Sequence, residues 1–446
     1  MSDFMNELFH TTKVKDFVAL FKEAEEKYKD PQKFLSDITT YLPLRLYEHY
    51  YGDTVPHSLF GLLSAHQTQS FLPEEQRWRP FAQQCWFATQ EQKRTPLNLE
   101  TNGTKIQGNL DERWQYFQAA TNEENFADAM ASAQSFLKND QDRTFFRQKS
   151  LTLAMEDTSY GGQKLSYLFH AWRVAEALQW NHTEKILAPA LHFIVIGPKD
   201  HSLSQLVQES CGQTPLSFFS EQQGQLSTNN YEEIESLLLF SNDIEECLSQ
   251  FEILANSGAG LAPILLAAAQ GLSNSANGQW IWPMRAFHFC YVIEQWAELD
   301  LEKKGYAMAI AASLVTQASN RSRVSNQNCN LNEVAQQLSP VEPFEVLRRV
   351  ISHTDPHAAA TAVYAILGMK EDKTEELFQT LLSQAIKNDG QICYGNDILY
   401  ISEALDCYRR FNLQQKEKLP VSAGYFLGRI KKGYELAGAY GIPKNK

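Results

Sequence analysis

Four histidines out of the 11 in the chain stand where helix geometry could give an imidazole a chemical task. In Asp355-Pro356-His357, Asp355 is a good N-cap, Pro356 suits the first helical position and Gly368 supplies a stop. On that helix Ala359, Ala362, Val363 and Ile366 form an apolar face. His357, Thr361 and Tyr364, at i, i+4 and i+7, fall on the opposite face. A first-turn histidine feels the positive end of the helix, which favours the neutral imidazole that a general base requires. The alternative is an ordinary polar outward face. His57 follows Pro56 in the same way and closes a dense polar-aromatic run, Tyr47 to His57, that includes His49. Two such helix starts facing one pocket would suit an anionic or enolate-like group; two ordinary capped helices would look the same.

The other two histidines lie inside helices. His170 shares a stripe with Ser166 and Arg173, at the rim of an apolar face built by Tyr167, Ala171, Val174, Ala175 and Leu178. His288 shares one with Tyr291 and Gln295. The surroundings are alike: F-H-x-x-x-V-x-E begins at Phe169 and again at Phe287, an offset of 118 residues, and Tyr160-Gly161 is echoed at Tyr394-Gly395, 234 residues on. Duplicated multi-helix units would explain both. Six residues advance a helix by about 600°, so Glu176 and Glu294 lie about 120° around from their histidines and cannot join them on one ion within a helix. Each histidine is left to meet groups from a neighbouring helix, for chemistry or simply as a hydrogen-bonded core residue.

Stronger catalytic signatures are missing from the sequence. It has no phosphate-binding glycine loop, no G-x-G-x-x-G, no H-E-x-x-H, no G-x-S-x-G and no calcium loop. Glu7-x-x-His10 has the di-iron spacing, but that chemistry needs two such pairs and two further carboxylates. No metal ligand set is expected. The tryptophans (78, 86, 114, 172, 180, 280, 282 and 296) suit helix packing, or a flat aromatic ligand.

The elements that must position these residues read as helices. Val14, Phe17, Val18, Leu20, Phe21 and Ala24 recur at helical spacing after Thr11 or Thr12 as N-cap, and Phe34, Leu35, Ile38 and Leu42 repeat the pattern before Pro43. Ile234, Leu237 and Leu238, then Ile244, Leu248 and Phe251, flank a cap-like Ser241-Asn242-Asp243. The run HFIVI (192–196) continues a helical pattern and is a helix end. Long loops are expected over Thr95–Asp111, Gly197–Asn230 and Ala318–Pro343. The fold class is therefore all-α: packed antiparallel helices in two lobes, 1–215 and 216–446, or one continuous domain.

Composition narrows the partners. The 446 residues are 43% hydrophobic and 21% charged, as in a folded globular chain. A net charge of −13 with no basic patch argues against nucleic acid and anionic membranes. The seven cysteines are scattered and never form C-x-x-C, which points to reduced thiols in the cytoplasm. Neither a signal peptide nor a membrane span is expected.

Two segments resemble a known family. His49, then His57 with Leu59, Leu62 and Ala65, is similar to an early "His…His-x-Leu-x-x-Leu-x-x-Ala" stretch of questin oxidase-like proteins. Asp355-Pro356-His357-Ala358, leading to Ala362, Val363 and Ala365, resembles a late helix of the same family, and Lys164–Leu178 a central one more loosely. Gly52-Asp53 and Gly162-Gln163 depart from that pattern. The resemblance implies an all-helical oxidoreductase of the Baeyer–Villiger type in secondary metabolism. It would act on a polyketide-like or aromatic small molecule, with NADPH as reductant.

The expectation is thus a pocket with His57, His170, His288 and His357 as catalytic residues and His49, Arg173, Tyr291, Thr361 and Tyr364 as substrate-binding ones. The alternatives are a non-catalytic helical-repeat binding or scaffold protein, and a histidine-coordinated metal or haem protein. A catalytic pocket requires the histidines to converge; a scaffold would scatter them.

Overall fold

The computed structural model describes residues 2–42, 58–91, 106–211, 228–255, 261–276, 279–296, 301–324, 342–387, 396–411, 415–430, 433 and 435–440. Among them every regular element is helical. Before residues 212–227 run α1 (Ser2–His10), α2 (Val14–Tyr28), α3 (Pro31–Tyr41), α4 (Ser58–Thr68), α5 (Arg79–Glu91), α6 (Leu110–Asn122), α7 (Phe126–Phe136), α8 (Asp140–Glu156), α9 (Ser159–Ala177), α10 (Thr183–Ile196) and α11 (Ser202–Cys211). After them come α12 (Thr228–Phe240), α13 (Ile244–Ala255), α14 (Ala262–Asn274), α15 (Ile281–Gln295), α16 (Leu301–Ser322) and α17 (Pro343–Ser352). The chain continues with α18 (Pro356–Leu367), α19 (Thr374–Ala385), α20 (Asn396–Arg410), α21 (Lys418–Arg429) and α22 (Glu435–Ala439). Among the described residues no helix is long and apolar enough to cross a membrane.

Apolar spacing accounts for the helices. Phe17, Val18, Phe21 and Ala24 of α2 are buried, as are Phe34, Leu35, Ile38 and Leu42. The cap of α2 is Lys13, with no side-chain bond, while the Thr11 hydroxyl turns back to the Glu7 carbonyl. Asp243 does cap α13, accepting from the Glu245 amide. HFIVI closes α10. Two expected loops are partly helical: α11 lies inside 197–230, and α16 runs on to Ser322. Ser, Gln and Asn content concealed both: Gln205, Gln208 and Asn320 occupy outward positions of amphipathic helices, and Ser204, Ser319 and Ser322 are small enough to be buried.

Four helices close a ring at the centre. α9 packs on α4 and α15, and α20 packs on the same two. Around them lie α5, α8, α10, α14, α16 and α21, each against at least one of the four. The two segments beginning at Phe169 and Phe287 sit side by side in this ring, since α9 and α15 are neighbours. The expected boundary between 215 and 216 falls within 212–227, outside the described residues. Helices from either side of it share the ring, and buried apolar residues from Met5 to Leu436 form one core cluster.

The start of α9 is unusual and explains how its inner face is set. Tyr160, Gly161 and Gly162 all have positive φ (50°, 73° and 77°), a left-handed turn before the helix proper. The Thr158 carbonyl accepts from the amides of Gly161 and Gly162. A Cβ on Gly162 would stand 2.3 Å from the Phe289 ring, so the turn docks directly on α15. Beneath it Lys164, fully buried, bonds Asp157 at 2.6 Å and the Gly197 carbonyl at 3.3 Å. Asp157 also accepts from the amides of Ser159 and Asp200. Burial pushes the Lys164 ammonium below its ordinary range and the Asp157 carboxylate works against that shift. Through their hydrogen bonds with Gly197 and Asp200, the two partners of this ion pair tie the head of α9 to the segment that follows α10.

Gly162→Ala should cost on the order of 2 kcal/mol or more, from a strained left-handed alanine plus the clash with Phe289. Gly438→Ala, whose Cβ would meet nothing within 4 Å, should be neutral or slightly stabilising. Urea unfolding midpoints of the two variants check the contrast; equal midpoints would contradict it.

Candidate functional site

Two of the four expected histidines meet, and what joins them is a glutamate. His170 of α9 and His288 of α15 both bond Glu403 of α20. Nε2 of His170 lies 3.0 Å from Oε1, and Nδ1 of His288 bonds Oε2. All three side chains are buried, with His170 and Glu403 2% exposed and His288 5%. A carboxylate can only accept, so each ring nitrogen facing it carries a proton. The bridge therefore fixes the tautomer and plane of both rings. It leaves the far nitrogens, Nδ1 of His170 and Nε2 of His288, as the positions turned away from the carboxylate.

The charge state follows from competing effects. Burial raises the Glu403 carboxyl, but its interactions with His288 and the hydrogen bond from His170 outweigh it and hold the group below its usual range. Burial is also the largest influence on His170 and lowers it, with Glu403 pulling the other way. The bridge is thus an ionised Glu403 beside a neutral His170.

A second layer lies one turn further along the same helices. Arg173 donates to the Tyr291 hydroxyl at 3.2 Å, and that hydroxyl donates to Asp406 at 3.2 Å. Asp406 accepts from Nε of Arg410 at 2.9 Å, and Arg410 also pairs with Glu294 at 3.7 Å. Burial drives the Tyr291 hydroxyl far up, so it stays a neutral hydrogen-bonding group. His170, His288 and Glu403 make one layer and Arg173, Tyr291 and Asp406 the next, in the same order on each helix. The three helices therefore run in the same direction.

The remaining expected residues lie elsewhere. His357 is exposed on the first turn of α18, its ring 5.3 Å from that of Tyr425, and it does not join the Glu403 bridge. The cap itself is as expected: Asp355 accepts from the Ala358 amide at 3.0 Å. Thr361 is buried at 1% exposure, and its hydroxyl is folded back onto the His357 carbonyl. Tyr364 is half-buried. The face read as outward is thus partly inward, because α18 packs on α17 and α21 together. His49 and His57 lie outside the described residues. Glu176 pairs with Arg147 and Glu294 with Arg410, so neither joins its histidine.

Sequence reasoning passed over Glu403, Asp406 and Arg410. A signal was there: three charges at i, i+3 and i+7 on a helix otherwise rich in Ile, Leu and Ala. Glu403 also follows His288 by 115 residues, nearly the spacing that separates the two histidines. Among the described residues no three His, Cys, Asp or Glu side chains are grouped to hold a metal ion. No protein-family model, curated protein or solved structure matches the chain.

The bridge predicts how stability depends on pH. His170 is lowered in the fold, so the unfolded chain binds its proton first on acidification. The stabilisation is complete above about pH 6.5 and lost progressively below it. Glu403 is also lowered, and its contribution is lost only below about pH 4.3. The melting temperature should fall between pH 7.5 and 5.5, with a smaller fall in His170→Gln. A wild-type melting temperature that holds or rises over that range would contradict this. Glu403→Ala strands two buried imidazole donors and should cost about 3–5 kcal/mol, with Glu403→Gln milder; denaturant unfolding of the pair measures it.

Proposed function

We propose that the chain is an oxidoreductase of the questin oxidase-like type that takes a polyketide-like aromatic small molecule against the His170–Glu403–His288 bridge. The observation that carries this reading is at His288. Its Nδ1 is anchored on Glu403, while its Nε2 is buried with no hydrogen-bond partner among the described residues. An imidazole oriented by a carboxylate, with its far nitrogen unused, is the arrangement of a general base. In this reading Glu403 is the positioning residue and His288 accepts the proton of a phenol or hydrated carbonyl.

The resemblance at His57 and at Asp355-Pro356-His357 supplies the reaction class. NADPH enters only through that resemblance. Glu403 is itself a carboxylate, and the nearby Arg173 and Arg410 are engaged by Tyr291, Asp406 and Glu294, so the site does not fit the phosphates of a dinucleotide and no step is assigned to it. The rival is a helical scaffold without chemistry, favoured by the exposure of His357 away from the bridge.

A hydroxyanthraquinone, whose phenolate absorbs to the red of the phenol, separates the two. Added at a pH where the free compound is neutral, it should bind with a red shift. His288→Ala should abolish the shift and His357→Ala should leave it. An identical shift in His288→Ala, or binding with no shift in the wild type, would remove the base and leave the scaffold reading.

A further inference from the structure

The inner stripe of α9 does not end at His170. Going toward the head of the helix, Ser166, Gln163 and Ser159 precede it at intervals of four, three and four residues, so Gln163, Ser166 and His170 share one face. Ser166 is 8% exposed. Ser166 Oγ and Gln163 Oε1 are buried and have no hydrogen-bond partner among the described residues, like His288 Nε2. Unpartnered polar atoms in a folded interior are uncommon, because each forfeits its bonds to water. Of several such atoms in the interior, Gln163 Oε1 and Ser166 Oγ lie on the α9 stripe that carries His170, and His288 Nε2 lies on the neighbouring helix α15.

We propose, resting on the reading of His288 as a base, that Gln163 and Ser166 are the specificity-determining edge of the same site. They take hydroxyl groups of the ligand while His288 takes the reacting one. The chemistry of the edge fixes the ligand class. Gln163 Oε1 only accepts, His288 Nε2 accepts in its neutral form, and Ser166 both donates and accepts. The complement is a molecule with at least two hydroxyl donors along one side. The two residues are three apart, so their levels on the helix differ by about 4.5 Å, a span within one fused aromatic ring system. Ionised Glu403 lies one turn beyond Ser166, so a carboxylate or phosphate on the ligand would meet like charge in a buried setting and be rejected.

Three probes test this: a dihydroxynaphthalene, its dimethyl ether, and a carboxylated dihydroxynaphthalene. Affinities are read by calorimetry on the wild type, Ser166→Ala and Gln163→Met. The dihydroxy compound should bind about 10-fold or more tightly than either of the others, since a site built for a hydroxyl leaves polar groups unpaired without it. Ser166→Ala and Gln163→Met should each narrow that preference while the melting temperature changes little. Equal binding of the diol and its ether, or an undiminished preference in both variants, overturns the edge and leaves the base at His288 standing. Hydroxyl-selective binding without the red shift described above overturns the base and leaves the edge. Binding of none of the three overturns both.

Discussion

Everything at the centre of this protein depends on keeping one carboxylate ionised out of water. Moving a carboxylate from water into a protein interior costs several kcal/mol even after relaxation, and Glu403 is 2% exposed. Only donors on both oxygens make that tolerable, and they come from two other helices, through His170 and His288. This requirement sets the register of α9, α15 and α20 against one another. A helix slipped by a residue would swing its histidine about 100° away and leave the charge unpaired. The Arg173–Tyr291–Asp406 layer repeats the constraint one turn on. The left-handed turn at Tyr160–Gly162, locked on Phe289, holds α9 at the height where the layers match.

The helical architecture was legible because it rests on local rules. Apolar spacing marked α2 and α3, and Asp355-Pro356 marked the start of α18 down to its capping bond. The two F-H-x-x-x-V-x-E segments pointed to the helices that carry the site, and Arg173 and Tyr291, equivalent positions within them, do touch. Polar loop composition misled over 197–230, since a surface helix also carries Ser and Gln.

The site itself was half legible. His170 and His288 were recognisable from their stripes, but their partner was not, because a long-range pair leaves no periodic trace in either helix. Glu403 reads as one more charge in an acidic chain until the fold brings it inside. Thr361 misled for a related reason. Its helix is enclosed by α17 and α21, so the face opposite the apolar one is partly covered as well. His357, read from its cap alone, has the local setting of a base but not the neighbours.

The central claim is that a buried Glu403 carboxylate fixes both imidazoles by accepting from Nε2 of one and Nδ1 of the other. Nitrogen-15 NMR of histidine-labelled protein at neutral pH reads this directly, because the protonated and bare ring nitrogens have well separated shifts. The account predicts His170 with its proton on Nε2 and His288 with its proton on Nδ1, both assignments by single substitution, and loss of the fixed tautomers in Glu403→Ala. Rapidly exchanging tautomer mixtures at both rings, or spectra unchanged by Glu403→Ala, would contradict it.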